Sequence, residues 1–407
     1  MVAIDTGDTA FMLICSALVM LMTFGLAFFY GGLVRKKNVL AIMMQSFVCL
    51  GLVTAIWVVV GYSLAFGGDR GGFIGGLEYA GLTGVAGDPH AVYGPTIPHS
   101  VFMMFQLMFA IITPALITGA FADRKRFSRW LHFMAIWLLV IYIPLAHWVW
   151  GGGFLAQWGV IDFAGGYVVH MSAGWSALAC VFVFKPRKIG NGESVAPHSV
   201  PFVALGAGML WFGWFGFNAG SALAANAVAA NAFVTTMLGG AFGLLAWMFT
   251  NWAMDGKPSP SGTLTGAVAG LATVTPASGF VAPWAAIIIG IAAGVGCFFA
   301  TKLRARMKWD DSLDVWACHG IGGTIGVICT GIFATTAVNP AGKDGLIYGG
   351  VGLFGVQVAA AAIVAVFSFV GTYLILRVIR LGGPIQVPDD GEEKGLDAHE
   401  HGEAAYA

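Results

Sequence analysis

The stretches DFAGGYVVHMSAGW (residues 162–175) and DSLDVWACHGIGG (residues 311–323) decide the fold. Each places one histidine, His170 or His319, inside an apolar segment long enough to span a membrane. Each histidine also has an aspartate eight residues before it. An ionisable side chain inside a membrane is costly, and it is therefore a candidate functional residue. Two such segments in the two halves of one chain predict a polar path through a bilayer.

The composition of the whole chain is that of a membrane protein. Of its 407 residues, 58% are hydrophobic and only 10% are charged, against about 25% charged in a soluble domain. Residues 194–254 and 258–301 contain no Lys, Arg, Asp or Glu, and about 20 apolar residues suffice to span a bilayer. We predict an all-α polytopic membrane protein. A barrel is disfavoured because its strands would alternate polar and apolar residues.

The apolar segments predict eleven transmembrane helices, at residues 9–33, 39–66, 99–121, 131–150, 162–184, 200–221, 226–254, 261–277, 281–302, 312–333 and 348–378. Residues 1–380 would form one membrane domain. Residues 381–407 would form an acidic tail that is flexible until it docks, or that only aids solubility. The N-terminus has no basic segment before its apolar run, so a signal peptide is not predicted.

The basic residues predict the orientation of the chain. Of the 20 Lys and Arg residues, all except Arg70 and Lys343 follow odd-numbered spans. Because basic residues concentrate in cytoplasmic loops, we predict the N-terminus outside and the tail in the cytoplasm. The net charge is zero and the basic residues lie in short loops, so nucleic-acid binding has no support.

The first ten spans are predicted to form an inverted repeat, with halves at about residues 9–184 and 200–333. Because each half has an odd number of spans, the second enters the membrane from the opposite side, as in transporters with midplane sites. Asp162 and Asp311 would then cap helices at opposite faces. Eight residues of helix rise about 12 Å in a hydrocarbon core of about 30 Å, so the two histidines should meet near its centre.

Other polar residues in the apolar segments are interpreted as packing residues. His132 and His147 each lie alone near an end of span four. The six cysteines have the spacing of neither a zinc site nor a disulfide framework, so no metal or cofactor is predicted. Motifs of nucleotide-binding, zinc-protease and hydrolase sites are missing from the sequence, and no enzymatic activity is predicted.

Six motifs resemble the ammonium transporter, methylammonium permease and Rhesus-protein family, and look most similar to the bacterial ammonium transporters. They are FFYGGLVRKKNVL (28–40), FQLMFAIITPALITGAFADR (105–124), YIPLAHWVWGGG (142–153), DFAGGYVVH (162–170), GWFGFNAGSA (213–222) and ACHGIGGTIG (317–326). The resemblance covers nearly the whole chain. It implies a homotrimer of eleven-helix subunits in the bacterial inner (plasma) membrane, with one pore in each subunit.

The resemblance also implies roles for particular residues. It implies an outer ammonium site of Phe109, Trp150 and Ser221, and a gate in which Phe109 stacks on Phe217. The remaining implied positions are two pore-lining aromatics, the paired pore histidines and an acid behind the outer site: Phe105, Trp214, His170, His319 and Asp162. Aromatic faces attract cations and a hydroxyl can accept a hydrogen bond from ammonium. Without the resemblance, Trp150 would be interpreted as an interfacial belt residue.

These observations predict an ammonium transporter. A dry pore handicaps potassium, which needs rings of carbonyl ligands, whereas ammonium can lose a proton and pass as ammonia. We expect deprotonation near Asp162 and passage of ammonia along His170 and His319. The proton would remain outside or follow through the histidines, which exchange protons readily.

Three alternatives to this function are open. A passive channel for ammonia or carbon dioxide would need no cation site. An ammonium sensor with weak transport would normally carry an appended signalling domain. A redox enzyme could use the deep histidines as haem ligands. The ending GLDAHEHGEAAY (395–406) also resembles the family's cytoplasmic end, which implies a trimeric PII-type signalling protein as a partner.

Overall fold

The computed structural model describes residues 4–188 and 195–406. Eleven long helices dominate this part of the chain, and we number them α1 to α11 in chain order. They are Thr6–Leu33, Lys36–Phe66, His99–Phe121, Phe127–Trp158, Gly166–Val183, Val200–Gly220, Ala227–Asp255, Pro260–Val274, Pro283–Arg306, Trp316–Phe333 and Val351–Leu381. Two short antiparallel strand pairs follow α2, namely β1 (Asp69–Arg70) with β2 (Ile74–Gly75), and β3 (Pro89–His90) with β4 (Gly94–Pro98).

Within the described residues, ten of these helices are long and apolar enough to cross a membrane. The other is α8, the eighth predicted span, which has 15 residues and therefore a length of about 22 Å. Pro276 explains its early end, because proline cannot donate the next helical hydrogen bond. The chain continues as turns over residues 275–280. The helical membrane architecture is thus confirmed, and the number of crossings stays a prediction.

The two ends of the helix bundle differ. One end, the loop face, carries the strand pairs and the N-terminus, where Asp5 N–H donates to the carbonyl of Thr96 at 2.8 Å. The other end, the tail face, carries the C-terminal segment, where Leu396 N–H donates to Asn38 Oδ1 at 2.8 Å. The termini therefore lie at opposite ends of the bundle, as an odd number of crossings requires. The predicted outside position of the loop face stays a prediction.

Close helix packing encloses the centre of the bundle. Helix α1 packs along α6, where a β-carbon on Gly206 would overlap the backbone of Phe29. Small residues let helix backbones approach closely inside a membrane. Helix α3 lies between its neighbours and is almost completely buried.

Helices α5 and α10 carry a wide π-type turn at corresponding places, Gly166–Met171 and Trp316–Ile321. Similar turns occur in α2 and α4. Such turns shift the side chains that follow them and are frequent at functional sites. His170 and His319 each lie inside one of these turns.

The C-terminal tail, predicted to be flexible until it docks, is docked on the tail face. Its short helix α12 (Asp389–Lys394) buries Glu392, which is 1% exposed and accepts a hydrogen bond from Lys188 N–H at 2.9 Å. Asp397 accepts the N–H of Ala41 at 2.8 Å. The tail therefore connects the start of α2 with the segment that follows α5.

Candidate functional site

His170 and His319 are brought together at the centre of the bundle. Their ring centroids lie 5.3 Å apart with an interplanar angle of 15°, and their Nδ1 atoms are 3.2 Å apart. The residues are 1% and 3% exposed. One Nδ1 must donate and the other must accept for this hydrogen bond to form.

The approach of α5 and α10 depends on glycines. A β-carbon on Gly174, one turn after His170, would overlap the backbone of Gly320, which follows His319. A β-carbon on Gly323 would lie 3.0 Å from the β-carbon of His170. The pair can therefore stack because both helices lack side chains where they cross.

The histidine rings border a small cavity lined by buried residues. Its volume is about 20 Å³, which is enough for about one water-sized molecule. Apart from the two imidazoles its wall is largely apolar, with Leu26, Ile112 and Val268 among its members. A neutral molecule of the size of water fits this space, whereas an ion in it would lose nearly all hydration.

A row of aromatic rings leads from this cavity toward the loop face. The ring of Trp214 stacks on His170 at 5.5 Å, with an interplanar angle of 23°. The next contact is between Phe217 and Phe109, whose centroids are only 4.2 Å apart. Phe105 packs on Phe109 at 4.9 Å. The close contact of Phe109 and Phe217 separates the histidine cavity from the space above it.

An open vestibule of about 260 Å³ lies on the loop-face side of these rings. Phe109, Trp150 and Ser221 all line it, and the ring of Trp150 meets Phe109 edge-on at 5.9 Å and 89°. The hydroxyl of Ser221 donates to the carbonyl of Phe217 at 2.9 Å, so its oxygen lone pairs are available to accept. Gln106, next in sequence to Phe105, also lines the vestibule, and sequence reasoning missed it.

The carboxylate of Asp162 caps the start of α5. Its oxygens accept the N–H groups of Gly165, Gly166 and Tyr167 at 2.8, 2.7 and 2.8 Å. Its backbone carbonyl accepts the indole N–H of Trp150 at 2.9 Å. Asp162 is 7% exposed and does not line the vestibule. The residue therefore holds the vestibule tryptophan while its carboxylate is committed to the helix end.

Asp311 occupies the corresponding place at the tail face, with a different pattern of contacts. One carboxylate oxygen accepts Trp316 N–H at 2.7 Å. Burial, reinforced by the neighbouring carboxylate of Asp314, raises the pKa of Asp311 to about 6. Arg304 pairs with Asp314 at 2.6 Å. The carboxylate of Asp311 is thus less well stabilised by hydrogen bonds than that of Asp162, the other predicted capping residue.

The two lone histidines lie apart from this row of residues. His147 is fully buried, with Nδ1 2.9 Å from the carbonyl of Ala65 and Nε2 2.9 Å from Asp69. His132 Nδ1 lies 2.8 Å from the carbonyl of Ser128 on the protein surface. Within residues 4–188 and 195–406 no group of three or more His, Cys, Asp or Glu could hold a metal.

Sequence comparisons give a consistent result. A sequence model of the Ammonium Transporter Family matches residues 10–406. An ammonium transporter of Bacillus subtilis is 49% identical over 401 residues, covering 98% of each chain. The ammonium transporter Amt1 of Archaeoglobus fulgidus is 44% identical, covering 98% of this chain and 99% of that protein. The similarity thus extends over nearly the full length of these relatives.

Solved structures have the same fold. The crystal structure of Candida albicans Mep2 matches with a TM-score of 0.89 at 36% identity, covering 95% of this chain and 87% of that one. A protein described as a sensor Amt protein matches with a TM-score of 0.87 at 27% identity, covering 97% and 98%. Both matches thus cover nearly the whole of this chain.

Proposed function

We propose, from the premise that this chain belongs to the ammonium transporter family, that it binds ammonium outside the cell, removes a proton and conducts ammonia through an apolar pore. The vestibule at the loop face would be the ammonium site. The cavity beside the two histidines would be the pore. The closed aromatic contact between them would separate the hydrated ion from the dry path.

One observation carries this proposal: the Nδ1 atoms of His170 and His319 are 3.2 Å apart beside a buried, largely apolar cavity. A charge inside a membrane costs about 2.5–3.5 kcal/mol even on the most lenient scales. Neutral ammonia avoids that cost and is close to water in size. The imidazoles border the cavity with ring nitrogens that can hydrogen-bond a passing ammonia molecule, whereas Tyr30 and Trp214 already donate to Leu116 and Thr275.

The vestibule residues support binding of the charged form. The faces of Phe109 and Trp150 can stabilise a small cation by about 0.5–2 kcal/mol. Ser221 presents a hydroxyl oxygen as an acceptor, since its hydrogen is already donated to Phe217. A tetrahedral ion with four N–H donors suits this combination, whereas potassium requires several oxygen ligands at once.

We revise the sequence-based hypothesis that ammonium loses its proton near Asp162. Asp162 accepts three backbone hydrogen bonds, so it is a poor acceptor for the proton of ammonium. We propose that Asp162 supports the site by holding Trp150. The proton would remain in the vestibule water or pass along His170 and His319.

The setting of this pore is part of the proposal. We propose a homotrimer in the bacterial plasma membrane, with residues 1–380 as the membrane domain, the loop face outside and the tail of residues 381–407 in the cytoplasm. Large exposed apolar side chains such as Phe212 and Phe249, 58% and 57% exposed, support burial in lipid or against other subunits. The docked tail would be the contact region for a PII-type signalling protein.

Proteoliposomes test the function. An ammonium pulse should raise the internal pH, which a trapped dye reports, faster than in protein-free liposomes, because ammonia takes up a proton inside. A potassium pulse of equal concentration should give neither a pH change nor a current on a solid-supported membrane. The proposal is wrong if ammonium gives no protein-dependent signal in either assay, or if potassium gives an equal current.

The alternative of a passive gas channel predicts a different result. Such a channel would conduct ammonia in proportion to its free concentration and would show no saturation with ammonium. The cation-binding character of Phe109, Trp150 and Ser221 favours saturation instead. A plot of initial rate against ammonium concentration at constant pH distinguishes the two functions.

A further inference from the structure

Gln357 is a buried polar side chain in the eleventh helix, which lies outside the predicted repeat. It is 0% exposed and forms hydrogen bonds with one residue of the loop before α5. The N–H of Ile161 donates to Gln357 Oε1 at 3.1 Å, and Gln357 Nε2 donates to the carbonyl of Ile161 at 2.9 Å. The amide thus pairs with both backbone groups of Ile161, as a neighbouring strand would.

Further contacts fix Gln357 itself. Its Nε2 also approaches the carbonyl of Val327 in α10 at 3.4 Å. Its backbone carbonyl accepts the hydroxyl of Tyr167, in the π-type turn of α5, at 2.7 Å. One residue of α11 therefore connects α10, the start of α5 and the loop between α4 and α5.

The held peptide leads directly to the ammonium site. The carbonyl of Ile161 and the N–H of Asp162 belong to one planar peptide unit, so the amide of Gln357 fixes the plane of that unit. The next carbonyl, that of Asp162, accepts the indole N–H of Trp150. The contacts thus run from Gln357 through two backbone units to the tryptophan ring.

We infer that Gln357 is a positioning residue that sets the orientation of Trp150 toward ammonium. This inference rests on the proposed function, since it assigns the vestibule to ammonium binding. The loop before α5 is irregular backbone near membrane depth, where unpaired N–H and C=O groups are costly. A glutamine satisfies one N–H and one C=O of this loop at once, whereas an ionised glutamate can only accept hydrogen bonds and an aliphatic residue forms none.

The test compares Gln357→Met and Gln357→Leu with Gln45→Met in the proteoliposome assay. Gln45 is a buried glutamine of α2 and is 3% exposed. Both Gln357 variants should raise the apparent KM for ammonium by about fivefold to tenfold, comparable with the loss of one cation–π contact. The maximal rate should change less than twofold, and Gln45→Met should change neither value. An unchanged KM with a lowered melting temperature would assign Gln357 to packing only and overturn the inference.

A double-mutant cycle separates positioning from general destabilisation. In a Trp150→Leu background, Gln357→Met should raise KM no further, because the ring that it positions is gone. Additive effects of the two substitutions would contradict the inference.

A readout independent of transport separates this inference from the proposed function. With 5-fluorotryptophan incorporated, the fluorine resonance that disappears in Trp150→Phe is that of Trp150. It should shift in Gln357→Met and remain unchanged in Gln45→Met. An unshifted resonance overturns the inference, whereas wild-type protein without ammonium-dependent signals overturns the proposed function alone.

Discussion

The Nδ1 atom of His170 lies 3.2 Å from the Nδ1 atom of His319, and the two rings are nearly parallel. Such a pair needs one hydrogen between the two nitrogens, so the neutral rings adopt opposite tautomers. One Nε2 is then a donor and the other an acceptor. When the accepting Nε2 takes up a proton, the shared hydrogen can move to the other Nδ1 and the second ring can release its Nε2 proton. Both rings end neutral with reversed tautomers, so the pair can pass a proton without either ring turning over.

The first prediction concerns this pair. His170→Leu combined with His319→Leu should reduce the ammonium-evoked current at least tenfold, because the cavity loses its imidazole nitrogens. Folding should be retained, since replacing both partners of a buried polar pair by apolar groups of similar shape can be nearly neutral. The measurement is current on a solid-supported membrane, with the surface variant His132→Leu as control. An unchanged, ammonium-selective current in the double variant would refute the relay.

A second prediction concerns the vestibule. Trp150→Leu should raise the apparent KM for ammonium about fivefold or more, because a cation–π contact of about 1 kcal/mol or more is lost. Ser221→Ala should raise it as well, through loss of one acceptor. Concentration series in proteoliposomes measure both effects. Trp158→Leu is the matched control, because this tryptophan lies at the same face, is 52% exposed and does not line the vestibule. Equal KM values for Trp150→Leu and Trp158→Leu would exclude the assigned site.

A third prediction concerns the crossing of α5 and α10. Gly174→Ala should force the helices apart, since its β-carbon would overlap the backbone of Gly320, and such overpacking costs about 1–3 kcal/mol. The separation should also disturb the contact between His170 and His319. We expect a lower melting temperature in detergent and reduced transport. Gly51→Ala, at a helical glycine with open space around it, should change neither, and a Gly174→Ala variant with wild-type behaviour would contradict the packing argument.

The meeting of His170 and His319 could be predicted because it depends on local properties. A capping aspartate marks the approach to each segment. Helices α5 and α10 begin at Gly166 and Trp316, about four residues later than predicted, so each histidine lies in the first turns of its helix. The membrane-protein class follows equally directly from long runs of apolar residues. Periodicity and composition therefore suffice for features that one segment determines by itself.

Contacts between distant residues could not be predicted in this way. Gln357 meets Ile161 across 196 positions of the chain, and nothing in either local sequence indicates the pairing. Docking of Glu392 beside Lys188 likewise depends on tertiary structure. The π-type turns and the early end of α8 also alter the helix geometry, but the apolar pattern of the sequence continues through them without a break. Pro276 indicates the early end of α8, but it lies within a long apolar run that by itself predicts a continuous helix.

The last prediction concerns pH and Asp311. Burial, with the charge of Asp314, raises the pKa of the Asp311 carboxyl from an ordinary value of 3.8 to about 6 in the folded protein. Between these values the folded protein holds a proton that the unfolded chain releases. The contribution of Asp311 to the free energy of unfolding is therefore largest below pH 3.8, and it is lost as the pH rises through about 6. Asp311→Asn removes this dependence, and its amide oxygen can still accept the N–H of Trp316.

Melting temperatures in detergent at pH 4.5 and pH 7.5, set about the two ends of this window, check the prediction. Asp311→Asn should be at least as stable as wild type at the higher pH, and its advantage should shrink or vanish at the lower one. Asp88→Asn, in the loop between α2 and α3, serves as the control and should follow wild type at both values. A difference between Asp311→Asn and wild type that stays constant with pH would show that Asp311 does not titrate in this window. The carboxylate would then be stabilised in the folded protein by contacts stronger than its hydrogen bond from Trp316.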